Sequence, residues 1–191
     1  MLKKRAKILS NDQINSLLNF TATTRNETRN RVLVLLSIRA GLRAGEIAAL
    51  TWDMVLDPSG AVADHIELRD HAAKKKSGRL IPLHRDLKDA LAAWLGETEG
   101  FGPVVLSQRG GHMTPVSIVN FFAQAYAALG FDGCSSHSGR RTFITRAARL
   151  VHQAGGSLRD VQILAGHKSI AVTQGYIEGD TDAQRRLVAL V

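Results

Sequence analysis

Residues 27–40, ETRNRVLVLLSIRA, are the stretch that most restricts what this chain can fold into. From Val32 to Ile38 apolar side chains follow one another almost without interruption. On a period of 3.6 residues they point nearly all round a helix. A helix apolar on every side has to be covered on every side, so other elements must be built around it. The apolar core of this segment, VLVLLSI, ends at Arg39 and is far too short to span a bilayer. Gly41 supplies its stop.

The flanking sequence provides the covering elements. Ser10 with Gln13 makes a capping box ahead of Ile14, Leu17 and Leu18, and RAGEIAAL (43–50) resumes helical spacing. Leu87, Leu91, Trp94 and Leu95 form one apolar helical face that Gly96 ends. Thr114, Pro115 and Gly130 bracket another helix as N-cap, first helical residue and stop. HSGRRTFITRAARLVHQAG reads as a further helix, with short ones from Ser157 and Ser169 and a last one that Thr181 and Gln184 cap. Between residues 52 and 83 the period changes. DPSG (57–60) is a turn, DHIEL (64–68) and RLIPL (79–83) read as strands, and KKKSG (74–78) is a basic hairpin tip. The expectation is a mainly α protein with a small antiparallel β-sheet of three strands at most (α+β). With no internal repeat or low-complexity linker, residues 1–191 are expected to form a single domain.

The charge balance speaks to partners. Lys and Arg number 25 against 17 Asp and Glu, a formal net charge of +8, and the commonest polyanion is nucleic acid. The single cysteine, Cys134, excludes an internal disulfide framework and fits a reducing cytoplasm. The start, MLKKRAKILSND, lacks the apolar stretch of a signal peptide, so a soluble cytoplasmic protein without membrane contact is expected.

Four basic features stand out: Arg43 in GLRAGE, the lysines 74–76, His137 with Arg140 in HSGRRTF, and His167 in AGHKS. Singly, each reads as a surface charge. Together they are harder to dismiss. Arg43 and His137 each open a helix, where free N–H groups and the dipole already favour an anion, and Arg140 follows His137 at i+3. Guanidinium forks match phosphate oxygens, which makes a phosphate the natural guest. Of the two tyrosines, Tyr126 lies inside an apolar helical pattern and reads as core. Tyr176 follows Gly175 at a flexible point, nine residues after His167. A phenol with its ordinary pKa near 10 needs a proton acceptor and a cationic surround to act as a nucleophile.

These segments resemble the catalytic domain of the tyrosine recombinase (phage integrase) family. AGLRAGEIAALTWDMV is similar to the family's first arginine box, AAKKKSGRLIPL to its β-hairpin lysine segment, HSGRRTF to its His-x-x-Arg box and LAGHKSIAVTQGY to its histidine-to-tyrosine box. All four occur in the family's order. The resemblance implies that fold and a site-specific recombinase. Arg43 and Arg140 would clamp the non-bridging oxygens of a scissile phosphate, and His137 and His167 would complete the cage, with His137 favoured as proton acceptor. Tyr176 would attack phosphorus to give a 3′-phosphotyrosyl link, and a hairpin lysine would protonate the departing 5′ oxygen. Counting back from R-x-x-P favours Lys74, with Lys75 and Lys76 adjacent. Glu46 would brace the pocket, and Lys75, Lys76 and Arg141 would contact DNA.

Neither metal nor other cofactor is implied, because arginines do the neutralising and the phosphotyrosine stores the broken bond's energy. The implied partners are double-stranded DNA, further subunits joined into a tetramer on paired sites through the C-terminal helix, and an accessory DNA-binding protein. The family's N-terminal core-binding domain is not matched here, which reads as a naturally short recombinase or a fragment. Two other readings share these residues: a type IB topoisomerase that needs no synapsis, and a DNA-binding regulator with a vestigial site.

Overall fold

A computed structural model describes residues 6–74 and 77–176 together with positions 185, 188, 189 and 191. Among the described residues the order is α1 (Asn11–Ala22), α2 (Glu27–Arg39), α3 (Ala44–Ala49), a short 3-10 turn (Trp52–Met54), β1 (His65–Leu68), β2 (Arg79–Pro82), α4 (Arg85–Leu95), α5 (Pro115–Ala128), α6 (Ser138–Leu150), α7 (Leu158–Ala165) and α8 (Ile170–Gln174). The architecture is mainly helical with one two-stranded antiparallel sheet, β1–β2, in which Ile66 faces Ile81 and Leu68 faces Arg79.

Helix α2 is the axis of the molecule, as its all-round apolar pattern demands. Val32 through Leu36 are fully buried, and α1, α4 and α6 pack against it. Helix α6 approaches most closely at Gly139, where a Cβ would overlap the Ser37 hydroxyl. Its other side meets the N-terminal strand of chain. Thr142 accepts from Leu9 N–H at 2.8 Å, and Arg146 and Arg141 donate to the carbonyls of Leu9 and Ala6.

The local signals act as their chemistry suggests. Ser10 and Gln13 exchange both bonds of a capping box, Thr114 accepts from Ser117 N–H with Pro115 beside it, and Gly41 takes φ +65° just past the end of α2. Tyr126 is buried, and that burial pushes its phenol far above the ordinary range, as expected of core. The last helix expected from Thr181 and Gln184, and the lysines 75 and 76, lie outside the described residues. Among the described residues, no helix is long and apolar enough to cross a membrane.

Apolar packing falls into two clusters. The larger surrounds α2, and the smaller joins Ile144 and Ala148 of α6 and Val151 just after it to Val161 and Ala165 of α7, with Tyr176 against it. The seam between them carries the polar residues that matter most.

Candidate active site

One corner of the seam is built at the start of α3. Arg43 is the N-cap, with extended backbone, at the helix start where the sequence puts it. An arginine cannot accept a hydrogen bond, so the cap is completed from the other direction. Glu46 reaches back to Arg43 N–H at 3.0 Å and takes its Nη1 at 2.7 Å. The same carboxylate, 1% exposed, receives both terminal nitrogens of Arg79 at 3.3 and 3.1 Å. Burial pushes Glu46 upward, but the hydrogen bonds and charge of Arg79, followed by those of Arg43, outweigh it and hold the acid below its ordinary range. Arg43 itself is half-buried.

The other corner is built on α6. Arg140, 3% exposed, donates Nη1 to the Gly41 carbonyl and Nη2 to the Ala165 carbonyl, both at 2.6 Å, and Nη2 also meets His167 Nε2 at 3.0 Å. It thereby joins the two apolar clusters. Gly41 is glycine for a spatial reason, since a Cβ there would overlap the Phe143 ring and the φ is positive. Of the five guanidinium N–H groups, Nε–H and one Nη1–H remain for a guest. Burial first, then the charge of Arg43, lowers Arg140 to about 10, which leaves it cationic at neutral pH.

Because a guanidinium has no lone pair to give, His167 Nε2 must accept from Arg140. The ring proton is then assigned to Nδ1, which donates to Thr173 Oγ1 at 2.9 Å. Burial, then the charges of Arg140, Arg43 and Arg79, push His167 down to about 4, so it is neutral. Its ring stacks on Tyr176 with centroids 5.3 Å apart and planes at 25°. Tyr176 is held through its backbone. Its N–H donates to Thr173 O and its carbonyl accepts from Thr145 Oγ1. Gly175 caps α8 with an ordinary φ of −62°, so the freedom of glycine expected there is not used.

His137 caps α6 from an exposed position. Partial desolvation of the ring by the cleft walls, then Arg140, Arg43 and Lys74, lower its pKa below the usual histidine value, which favours a neutral imidazole able to accept a proton. A cleft of about 430 Å³ exposes His137, Arg140 and Tyr176 together. A neighbouring one of about 430 Å³ runs from His137 past Arg43 to Lys74, and a third of about 220 Å³ connects Arg43 and Lys74 to His167. Arg43, Lys74, His137, Arg140, His167 and Tyr176 therefore border a depression made of three adjoining clefts, two of which share His137 and two Arg43 and Lys74. Glu46 lies in the wall of the second. Arg141 lines the first but is 9% exposed, with Nη1 on the Ala6 carbonyl at 3.0 Å.

Two residues were missed in the sequence. Arg79 shares the inward face of β2 with Ile81, and a basic side chain on the buried face of a strand was the available signal. Thr173, fully buried, offered no local signal for its bond to His167.

Comparisons with known proteins agree on a family. The profile described as Phage integrase family matches residues 7–182. Tyrosine recombinase XerC of Erythrobacter litoralis is 30% identical over 165 residues, covering 84% of this chain and 49% of that protein. Tyrosine recombinase XerC of Xanthomonas campestris pv. campestris (strain B100) is 29% identical over 182 residues, covering 93% and 53%. The chain spans about half the length of the curated relatives it matches. Among solved structures, the Tn1549 transposon integrase in complex with a circular intermediate DNA superposes with a TM-score of 0.76 at 21% identity, covering 100% of this chain and 67% of that one. The XerA recombinase superposes with a TM-score of 0.74 at 23% identity, covering 96% and 64%. Both share this chain's fold.

Proposed function

The chain belongs to the phage integrase family, and from that premise we propose that it breaks and rejoins double-stranded DNA at specific sites with Tyr176 as nucleophile. The observation that carries this reading is the stack of His167 on Tyr176 beside buried Arg140, which puts a phenol next to unused guanidinium donors in an open cleft. Solved structures of the same fold with DNA bound support the substrate class, and so does the net charge of +8.

In this mechanism the phosphodiester enters the depression with its non-bridging oxygens toward Arg43 and Arg140. Tyr176 Oη attacks phosphorus while its proton passes to neutral His137. The bond from phosphorus to the 5′ oxygen breaks, and that oxygen takes a proton from Lys74. The products are a 3′-phosphotyrosine and a free 5′-hydroxyl. Attack by an incoming 5′-hydroxyl reverses each transfer, so rejoining needs neither water nor ATP. Each preorganised donor in such a site contributes about 3–4 kcal/mol to the transition state, so several together carry much of the rate. Lys75, Lys76 and Arg141 serve DNA binding in the same reading, and residues 181–191 join subunits into a tetramer on paired sites, with an accessory DNA-binding protein as a further partner.

Nicked suicide duplexes tiled across candidate DNA test the reading, with wild type and Tyr176→Phe compared. The expected result is an SDS-resistant 3′-linked adduct with wild type alone and salt-sensitive binding with both. Binding without any wild-type adduct would instead favour a regulator. Removing residues 181–191 is expected to abolish tetramers while sparing DNA binding, and unchanged assembly would reject that role.

A further inference from the structure

Arg79 is a heavily bonded side chain outside the residues assigned to chemistry. It lies at the first position of β2, 3% exposed at its side chain, in the seam between the two apolar clusters. Its nitrogens reach Glu46 Oε2 at 3.1 Å and Oε1 at 3.3 Å, the Leu164 carbonyl at 2.8 Å and the Ser77 carbonyl at 3.3 Å. Each partner belongs to a segment that carries a site residue. Glu46 holds the backbone and guanidinium of Arg43. Leu164 lies in the last turn of α7, three residues ahead of His167. Ser77 donates to the Lys74 carbonyl at 2.8 Å. The loop into His167 also passes so near that a Cβ on Gly166, at φ +61°, would sit 2.7 Å from Arg79 Nη1.

A buried ion pair is a poor device for stability alone, because apolar side chains of similar size replace such pairs at little cost. One planar fork that meets two distant segments, at Glu46 and Leu164, and its own hairpin at Ser77 is a good device for fixing their relative positions. We propose that Arg79 is a positioning residue of the active site, holding Arg43 through Glu46 and registering the Lys74 and His167 segments against it. This rests on the reading that those three residues serve strand cleavage.

The test compares wild type with Arg79→Met and Arg79→Lys in the full chain. Arginine-labelled protein is examined by NMR for rotation and solvent exchange of the Arg43 guanidinium, assigned through Arg43→Lys. Adduct formation is then timed on a suicide duplex and on one bearing a neutral methylphosphonate at the scissile position. In wild type the Arg43 guanidinium is expected to rotate and exchange slowly. Either variant should speed that exchange about 10-fold and slow adduct formation about 100-fold on the natural phosphate. DNA affinity should stay within about 3-fold. The methylphosphonate has less charge to neutralise, so it should erase most of the slowing. Unchanged Arg43 exchange, or equal slowing on both duplexes, would overturn the proposal. Should Arg79→Met fail to fold, exchange in Arg79→Lys decides. Absence of any wild-type adduct would reject the recombinase reading, while the exchange data would still judge the placement of Arg43.

Discussion

The two corners of the candidate site hold their arginines by opposite means. At the α3 corner one buried carboxylate serves two guanidinium groups, Arg43 and Arg79, so much of the positive charge is already answered within the protein. At the α6 corner Arg140 is held by two backbone carbonyls and a neutral imidazole, none of which carries a countercharge. Neutral acceptors orient a cation without quenching it. Each corner keeps one net positive charge, shared at α3 by two guanidinium groups through a carboxylate and carried at α6 by a single guanidinium with no carboxylate bonded to it, beside Tyr176. The lesson is that one corner is built to stay in place and the other to attract.

The largest effect separates those two jobs at Arg140. Arg140→Met is expected to slow adduct formation about 1,000-fold, ~4 kcal/mol of transition-state stabilisation, while moving the unfolding midpoint less than Glu46→Ala does. Single-turnover cleavage and urea unfolding on the same preparations check both parts. A larger loss of stability than in Glu46→Ala would show that Arg140 is mainly a brace between the two apolar clusters. At the other corner, Glu46→Ala leaves buried Arg79 facing Arg43 with no carboxylate between them. The expected destabilisation is about 3 kcal/mol, read as a lower urea midpoint at constant slope. A shift near zero would mean that the charges of this corner are screened by solvent.

Acid should undo the corners in sequence. His167 titrates at about 4 in the fold against an ordinary 6.5, so between those values the unfolded chain binds more protons than the native one. Its contribution is complete above pH 6.5 and is lost as the pH falls toward 4, by about 1–3 kcal/mol. His137, shifted the same way, adds loss of the same sign, and cleavage should fail on the acid side because a protonated His137 accepts nothing. Glu46 is shifted downward from 4.5, so its contribution is present above 4.5 and is lost only as the pH falls through its lower native value. Unfolding free energies at pH 7.5, 6 and 4.5 check this. His167→Gln should flatten the dependence across that range, and an unchanged slope would remove His167 as its source.

The contrast between the corners was half legible in the sequence. Local signals carried well. The all-round apolar run set α2, the caps at Ser10 and Thr114 set their helices, and alternation set β1 and β2. The ordered boxes placed Arg43, His137, Arg140, His167 and Tyr176 on one depression, because each box positions its residue at an element's end. What pairs with what was not legible. Glu46 stands 33 residues from Arg79, and Arg79 85 residues from Leu164, so no periodicity relates them. Gly175 shows the reverse error, a residue type suited to a hinge that has ordinary helical φ because the Thr173 carbonyl, accepting from Tyr176 N–H, and the Thr145 hydroxyl, donating to the Tyr176 carbonyl, hold the turn around it.

The smallest expected effect probes how the α6 corner keeps its imidazole neutral and correctly turned. Thr173→Val preserves shape and removes the Oγ1 that receives the His167 Nδ1 proton. A buried donor is then left without its acceptor, worth about 1 kcal/mol in stability. The other tautomer would put a proton on Nε2 against the Arg140 Nη2 hydrogens, so the ring must either keep an unmet Nδ1–H or turn away from Arg140. Either way Arg140 is held less firmly, and adduct formation should slow about 5–10-fold with little change in DNA affinity. Histidine NMR distinguishes the routes, since retention of the Nδ1–H tautomer in the variant means that Arg140 alone dictates it. Loss of that tautomer without slower cleavage would show that Arg140 needs no help from His167, leaving the two backbone carbonyls sufficient to aim it.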